Sequence, residues 1–392
     1  MVPNGWKITS LGDICDGNLQ TGPFGSQLHA HEYVDSGVSV LMPKDLIGFR
    51  SNLLEAAKIT ETKAQELKKH VLKSGDLLFS RRGDVTRFAL IDKQAEGAIC
   101  GTGCLKARPN QNHSPEFLAY FLQKDSVKKW LEQNAVGQTM PNMNTEILRE
   151  LPLMSASSKY EEEKIAQILS TWDQAIAVTE TLLEKSQQQK KALMQQLLTG
   201  KKRLLDENGV RFDGEWVQFV LGNLCNISTG KKDVNEGNHR GVYPFYTCAS
   251  EPTYSDSYSY DCEALLIAGN GSVGKTHYIK GKFEAYQRTY ILSHFSKTIE
   301  SLFLYQFILC FLTKEIDREK QHGAMPYIKL SALQKFKIIA PPILEQEKIT
   351  QVLSTADQEI QVLQQKLDCL KQEKKALMQQ LLTGKRRVKV AA

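Results

Sequence analysis

One segment of this sequence matches a chemical motif outright. GNGSVGKT, Gly269 to Thr276, satisfies the phosphate-loop pattern G-x-x-x-x-G-K-[ST] and comes after an apolar strand, ALLIA. A phosphate loop works by opening onto a helix whose N-terminal amides face the phosphates. The residues after Thr276 are HYIKGKFEAYQRTYILS, an aromatic, glycine-interrupted and strand-like run, and no apolar strand ending in a magnesium-binding aspartate comes after it. A nucleotide hydrolase using Gly269 to Thr276 is therefore kept as an alternative, behind a glycine-bearing hairpin that presents cations. Eight cysteines (Cys15, Cys100, Cys104, Cys225, Cys248, Cys262, Cys310, Cys369) stand singly, with no CxxC and no Cys/His cluster at zinc spacing. That pattern predicts reduced thiols and neither a metal site nor a disulfide framework.

The elements that must hold such a hairpin emerge from a duplication. KKALMQQLLTGK occurs at Lys190 to Lys201 and again at Lys374 to Lys385. At the same offset, EEEKIAQILSTWDQAI (Glu161 to Ile176) lines up with EQEKITQVLSTADQEI (Glu345 to Ile360). Fainter echoes lie upstream: Trp6 followed by LGDIC resembles Trp216 followed by LGNLC, GDLLFSRRGDV resembles CEALLIAGNGSV, and GQTMPNMN resembles HGAMPYIK. The chain thus reads as head, helix, head, helix, with heads that have diverged on a common frame.

From Lys159 to Thr199 there is no Gly or Pro, and apolar residues recur at helical spacing: Ile165, Ile168, Leu169, Trp172, Ile176, Leu182, Leu183, Leu193 and Leu197. The second copy repeats this with Ile349, Leu353, Ala356, Ile360, Leu363, Leu367, Leu370, Leu377 and Leu381. The seven-residue period predicts a coiled-coil seam on Ile165, Leu169, Trp172, Ile176 and Leu183 in one helix, and on Ile349, Leu353, Ile360, Leu363 and Leu367 in the other. Thr-Gly at 199–200 and 383–384 is a helix-stop signal. At ~1.5 Å per residue each helix spans roughly 60 Å, a spacer's length. Antiparallel pairing would carry the C-terminus back towards Met1.

The heads read as mixed α/β. Short apolar runs at Val38 to Met42, Asp76 to Ser80 and Phe88 to Ile91 predict strands in the first, and Ala264 to Ala268 and Tyr290 to Ser293 in the second. One helix is expected after Pro115, FLAYFLQKDSVKKWLEQ, and another at SLFLYQFILCFLTKEIDREK. The predicted divisions are a head over 1–153, a helix over 154–203, a head over 204–342 and a helix over 343–392. Composition excludes wholesale disorder, with 41% hydrophobic and 24% charged residues. A net charge of +6 permits an anionic partner without announcing one. No run approaches the ~18 apolar residues of a membrane span and the start lacks a signal-peptide layout, so a cytoplasmic chain is expected.

Two diverged heads, two near-identical helices ending LLTGK, the TGPFGSQL segment (Thr21 to Leu28), the Gly-x-Val hairpins and the APPILEQEKI helix start together resemble the specificity subunit of Type I restriction-modification systems. The resemblance covers the whole chain. It implies two target recognition domains, each reading one half of a split, asymmetric site in double-stranded DNA. It implies an antiparallel coiled coil that sets the gap and docks two methylation subunits, through which restriction subunits join. No cofactor is implied in this chain; S-adenosylmethionine, ATP and magnesium belong to the partners. The chain carries no adenine-methyltransferase signature, since Pro341-Pro342 sits between Ala340 and Ile343, and no helicase set. A noncatalytic reader is expected, with a coiled-coil scaffold that does not touch DNA as a further alternative.

Residue type and loop position then nominate DNA contacts, because Arg and Lys bind guanine edges or phosphates and Gln and Asn pair with adenine edges. In the first head these are Ser26, Gln27, Arg81, Arg82, Arg87, Gln138 and Asn142. In the second they are Lys231, Lys232, Arg240, Asn270, Ser272, Lys275, Thr276, Tyr327 and Lys329. Gly83, Gly271 and Gly274 are expected to shape turns, and Trp6, Trp216 and Trp172 to pack in cores or the seam.

Overall fold

The computed structural model describes residues 2–137, 141–319 and 327–388. It divides into two compact units, Met1–Val178 with Leu367–Ala392, and Thr179–Lys366. Both divisions fall inside long helices, Lys159–Leu197 and Ile343–Leu381. Each unit therefore holds one head, the beginning of one long helix and the end of the other.

In the first unit the head closes on itself. Its opening strand Lys7–Ser10 pairs antiparallel with its last, Pro152–Ser155, in a register that sets Lys7 opposite Ser155. A six-stranded sheet runs Leu19–Thr21, Cys104–Ala107, Leu77–Ser80, Phe88–Leu90, Arg50–Ser51, Leu46–Ile47, and a four-stranded sheet flanks it. Leu77 to Ser80 is buried at every position, the apolar Leu77 to Phe79 by type and Ser80 with its hydroxyl donating to the Arg82 carbonyl at 3.0 Å. The helix expected after Pro115 is two helices, Pro115–Leu122 and Asp125–Asn134. Lys124 is extended (ψ 140°) and lays its ammonium over the Phe121 ring, so the chain breaks there and restarts on Asp125, an acid suited to a helix N-terminus.

The second unit follows the same plan. Val217–Val220 pairs antiparallel with Lys337–Ala340, and a six-stranded sheet runs Asn226–Thr229, Thr289–Ser293, Tyr260–Ala268, Thr276–Ala285, Tyr243–Tyr246, Thr253–Ser255. The helix Ser301–Glu319 covers it as the sequence predicts. The first head's last strand runs to Ser155, and the second long helix begins at Ile343.

The ends of the long helices are built into the head cores. Ile165 and Leu169 from the start of one helix, and Leu381 and Leu382 from the end of the other, join Trp6, Phe117 and Leu153 in the first core. Leu197 and Leu198, with Ile349 and Leu353, do the same beside Phe303 and Ile338 in the second. Each such leucine contributes about 1.5–3 kcal/mol by leaving water. Of the remaining seam positions, Leu183 and Leu367 are buried and Trp172, Ile176, Ile360 and Leu363 half-buried; Leu182, outside the seam, is exposed.

Within each unit the helices run antiparallel. In the first, Lys374 pairs with Asp173 at 2.5 Å and Arg387 with Glu161 at 2.6 Å. In the second, Lys190 pairs with Asp357 at 2.5 Å and Arg203 with Glu345 at 2.6 Å. Both helices stop on a left-handed glycine, Gly200 (φ +70°) and Gly384 (φ +67°). A Cβ at Gly200 would lie 3.1 Å from the Trp216 ring and one at Gly384 2.9 Å from the Trp6 ring, so glycine also admits each head's tryptophan. Among the described residues no helix is long and apolar enough to cross a membrane.

Candidate nucleic-acid interface

In the first head the strands Leu77–Ser80 and Phe88–Leu90 form a hairpin whose turn carries Arg81, Arg82 and Gly83 (φ +75°). The turn is held from outside. Arg81 donates its N–H to the Gly103 carbonyl at 2.8 Å, Gly83 donates to Pro141 at 3.2 Å, and Met143 donates to the Arg81 carbonyl at 2.8 Å. This seats Asn142 beside Arg82, and Asn142 is fixed again by two backbone bonds with Val136 (2.9 and 3.0 Å). The Nε of Arg81 and the Oδ1 of Asn142 are both buried and have no hydrogen-bond partner among the described residues.

Ser26 and Gln27 are exposed in the loop after Leu19–Thr21. Gln27 spends its Oε1 on the Phe24 N–H at 2.9 Å. Arg87 is not a free cation, since its Nε lies 3.1 Å from Asp84, whose carboxyl is held below its ordinary range by Thr86 and by Arg87 itself. Gln138 lies outside the described residues.

The second head repeats the device with other residues. The turn between Tyr260–Ala268 and Thr276–Ala285 is closed by Gly274 donating to Ala268 (2.9 Å) and pinned by Ser272 donating to Cys248 (2.9 Å). Ile328 donates to the Gly269 carbonyl at 2.9 Å, and its own carbonyl accepts from the Tyr290 hydroxyl at 2.8 Å. Ile328 thereby sets exposed Tyr327 and Lys329 beside the turn that carries Asn270, Ser272 and Lys275. Lys231 and Arg240 are exposed on separate loops.

Two expected contacts are turned inward. Lys232 places its Nζ 3.0 Å from Ser255, 2.8 Å from Ser257 and 3.6 Å from fully buried Glu284, so it braces the fold. Thr276 is 2% exposed and donates to the Gly274 carbonyl, so it shapes the turn. The phosphate-loop alternative fails on the same geometry: after Lys275 the chain enters a ten-residue strand antiparallel to the one before it, with no helix N-terminus at the turn.

Phe24 was not among the expected contacts. It is 58% exposed, and the Arg81 guanidinium lies 5.9 Å from its ring centre. The available signal was a large apolar residue in an otherwise small and polar loop. Among the described residues no group of three or more His, Cys, Asp or Glu is arranged to hold a metal ion. All eight cysteines are free, and burial pushes the Cys15, Cys100 and Cys225 thiols up to about 12.

Comparison with known proteins agrees with this duplicated plan. Residues 3–187 and 213–372 match the Type I restriction modification DNA specificity domain. The chain is 34% identical over 169 residues to the Type I restriction enzyme EcoDI specificity subunit of Escherichia coli, an alignment covering 43% of this chain and 37% of that protein. It is 23% identical to the putative type I restriction enzyme MjaX specificity subunit of Methanocaldococcus jannaschii, across 99% of this chain and 95% of that one. The crystal structure of a Type-I restriction-modification S subunit from M. genitalium shares the fold, with a TM-score of 0.67 at 16% identity over 100% of this chain and 97% of that one. With two copies of the specificity domain spanning most of its length, the chain belongs to the Type I restriction-modification DNA specificity family and is a noncatalytic specificity subunit.

Proposed function

We propose that each head reads one half of a split, asymmetric site in double-stranded DNA, and that the paired long helices set the gap between the halves. The observation that carries this reading is the same externally clasped turn in both heads, dressed with Arg81, Arg82 and Asn142 in one and with Asn270, Ser272, Lys275, Tyr327 and Lys329 in the other. A common frame with different side chains suits one docking geometry applied to two different sequences.

The helices also serve as the dock for two methylation subunits, through which restriction subunits join. Lys191, Gln195 and Gln196 are exposed, as are Lys375, Gln379 and Gln380 at the matching positions of the identical segment. Packing does not demand identity at solvent-facing positions, whereas one partner species that engages the same surface twice does. In this scheme S-adenosylmethionine, ATP and magnesium are bound by the partners and not by this chain. A net charge of +6 suffices if those partners share the phosphate contacts.

The test is selection from a pool of random duplexes by the chain together with its methylation subunits. Enrichment of two short elements at fixed separation is expected. Equal retention of all sequences would support the scaffold reading and overturn this one.

A further inference from the structure

The DNA-reading proposal leaves Phe24 unused. Its ring stays 58% exposed, forgoing the burial that large apolar side chains ordinarily gain. The loop nevertheless fixes its backbone. Gln27 folds back so that its N–H donates to the Phe24 carbonyl at 2.8 Å while its Oε1 accepts the Phe24 N–H at 2.9 Å. At the loop's base Gly22 is pressed on the Gly101 carbonyl, where a Cβ would lie only 1.8 Å from the oxygen.

The Arg81 guanidinium lies 5.9 Å from this ring, and in the turn that Arg81 shares with Asn142 the Arg81 Nε and the Asn142 Oδ1 are buried without a hydrogen-bond partner among the described residues. Buried polar atoms without partners are costly, so such a pair at a surface turn calls for a partner from outside the head. Together the three side chains offer a donor, an acceptor and an apolar face. In the major groove an A·T pair shows the complement: the adenine N6 amino group as donor, adenine N7 and thymine O4 as acceptors, and the thymine 5-methyl as the one apolar group.

We propose that Phe24, Arg81 and Asn142 read A·T base pairing in the major groove of the first half-site, with Asn142 taking an adenine edge and Phe24 packing on a thymine methyl. This rests on the reading that the first head contacts DNA. The second head cannot do the same. After its corresponding glycine, Gly230, pressed likewise on the Ala285 carbonyl, it carries Lys231 and Lys232 where the first head has Pro23 and Phe24.

The experiment uses the chain in complex with its methylation subunits and duplexes carrying the site defined by methylation sequencing. Each thymine is replaced in turn by deoxyuridine, which removes only the methyl group. The wild-type complex should lose about tenfold in affinity at one thymine of the first half-site. Phe24→Ala should bind the ordinary duplex about tenfold more weakly and be indifferent to that replacement, and Phe24→Leu should keep part of the sensitivity. Thermal melting of both variants checks that the exposed position leaves the fold intact. The proposal is overturned if no thymine of the first half matters, or if Phe24→Ala stays as sensitive as wild type. A wild-type complex with no preference among sequences would instead overturn the DNA-reading proposal on which this one stands.

Discussion

Arg387 closes on Glu161, 226 residues earlier in the chain, with its Nε 2.6 Å and its Nη2 2.9 Å from the two carboxylate oxygens. Glu161 is fully buried at the start of one long helix, and Arg387 comes from the tail after the other. Arg203 and Glu345 repeat the pairing in the second unit at 2.6 and 2.7 Å. In the first unit Arg387 also donates to the Asn4 carbonyl at 2.8 Å, tying the end of the chain to its beginning. The first head is thus completed by a helix end that is remote in sequence, and the second by the two helix ends that flank it.

Removing the arginine leaves a buried carboxylate without its counter-charge. Arg387→Ala should destabilise the first unit by about 2 kcal/mol, less than the ~3–5 kcal/mol of a fully buried pair because the guanidinium is partly in water. Urea denaturation followed by hydrogen exchange in the first head measures this, and a change below about 0.5 kcal/mol would show that the pair is not structural.

The same pair gives a pH signature. Burial pushes the Glu161 carboxyl up, but the hydrogen bonds from Arg387 and Ser157 outweigh it and hold it below its ordinary value. A lowered folded value means that the stabilisation is present above the unfolded value of about 4.3 and is lost as pH falls through the folded one. Glu161→Gln should therefore differ most from wild type at neutral pH, and the difference should shrink below about pH 4. A difference that stays constant from neutral to acid would contradict the assignment.

Glycine at the helix stops serves two purposes, and substitution separates them. Gly384→Ala adds left-handed strain of ~1–2 kcal/mol and drives a Cβ into Trp6, so a loss of about 2–3 kcal/mol is expected. Gly209→Ala, at φ +77° with nothing nearby, should cost only the strain, about 1 kcal/mol. Equal shifts in melting temperature for the two would remove the argument from tryptophan packing.

At the proposed interface the two heads should fail independently. Asn142→Ala is expected to relax preference within one half of the recognised site and leave the other unchanged. Lys275→Ala should weaken binding and reduce the salt slope by about one, with no ATP binding before or after substitution. Nucleotide binding lost on substitution would revive the phosphate-loop reading.

Lengthening both long helices by one heptad, after Val178 and after Lys366, adds about 10 Å. The tolerated gap should grow by about three base pairs while both halves keep their sequence. An unchanged gap in a methylation assay would rule out the helices as its ruler.

The repeat, the two long helices and their stops were legible because identity and helical spacing need no tertiary information. The break at Gln123 and Lys124 was not, since the apolar pattern continues across it and only the placement of Lys124 over Phe121 reveals the restart. Sequence placed Lys232 and Arg87 on loops and Thr276 at the hairpin but could not show that Glu284, Asp84 and Gly274 engage them. Phe24 was passed over because polar side chains are the ones whose chemistry announces DNA contact, although a large apolar residue in a small and polar loop was a visible signal. The unpaired Arg81 and Asn142 atoms of one turn, with the exposed Phe24 ring near Arg81, come from three loops that only folding brings together.

The central claim is that two different heads on one frame read two different half-sites, and methylation sequencing of a host carrying this chain with its methylation partner tests it most directly. The account predicts one asymmetric motif, two unlike elements separated by an unread gap of fixed length. A continuous motif, or two identical elements in inverted orientation, would contradict it.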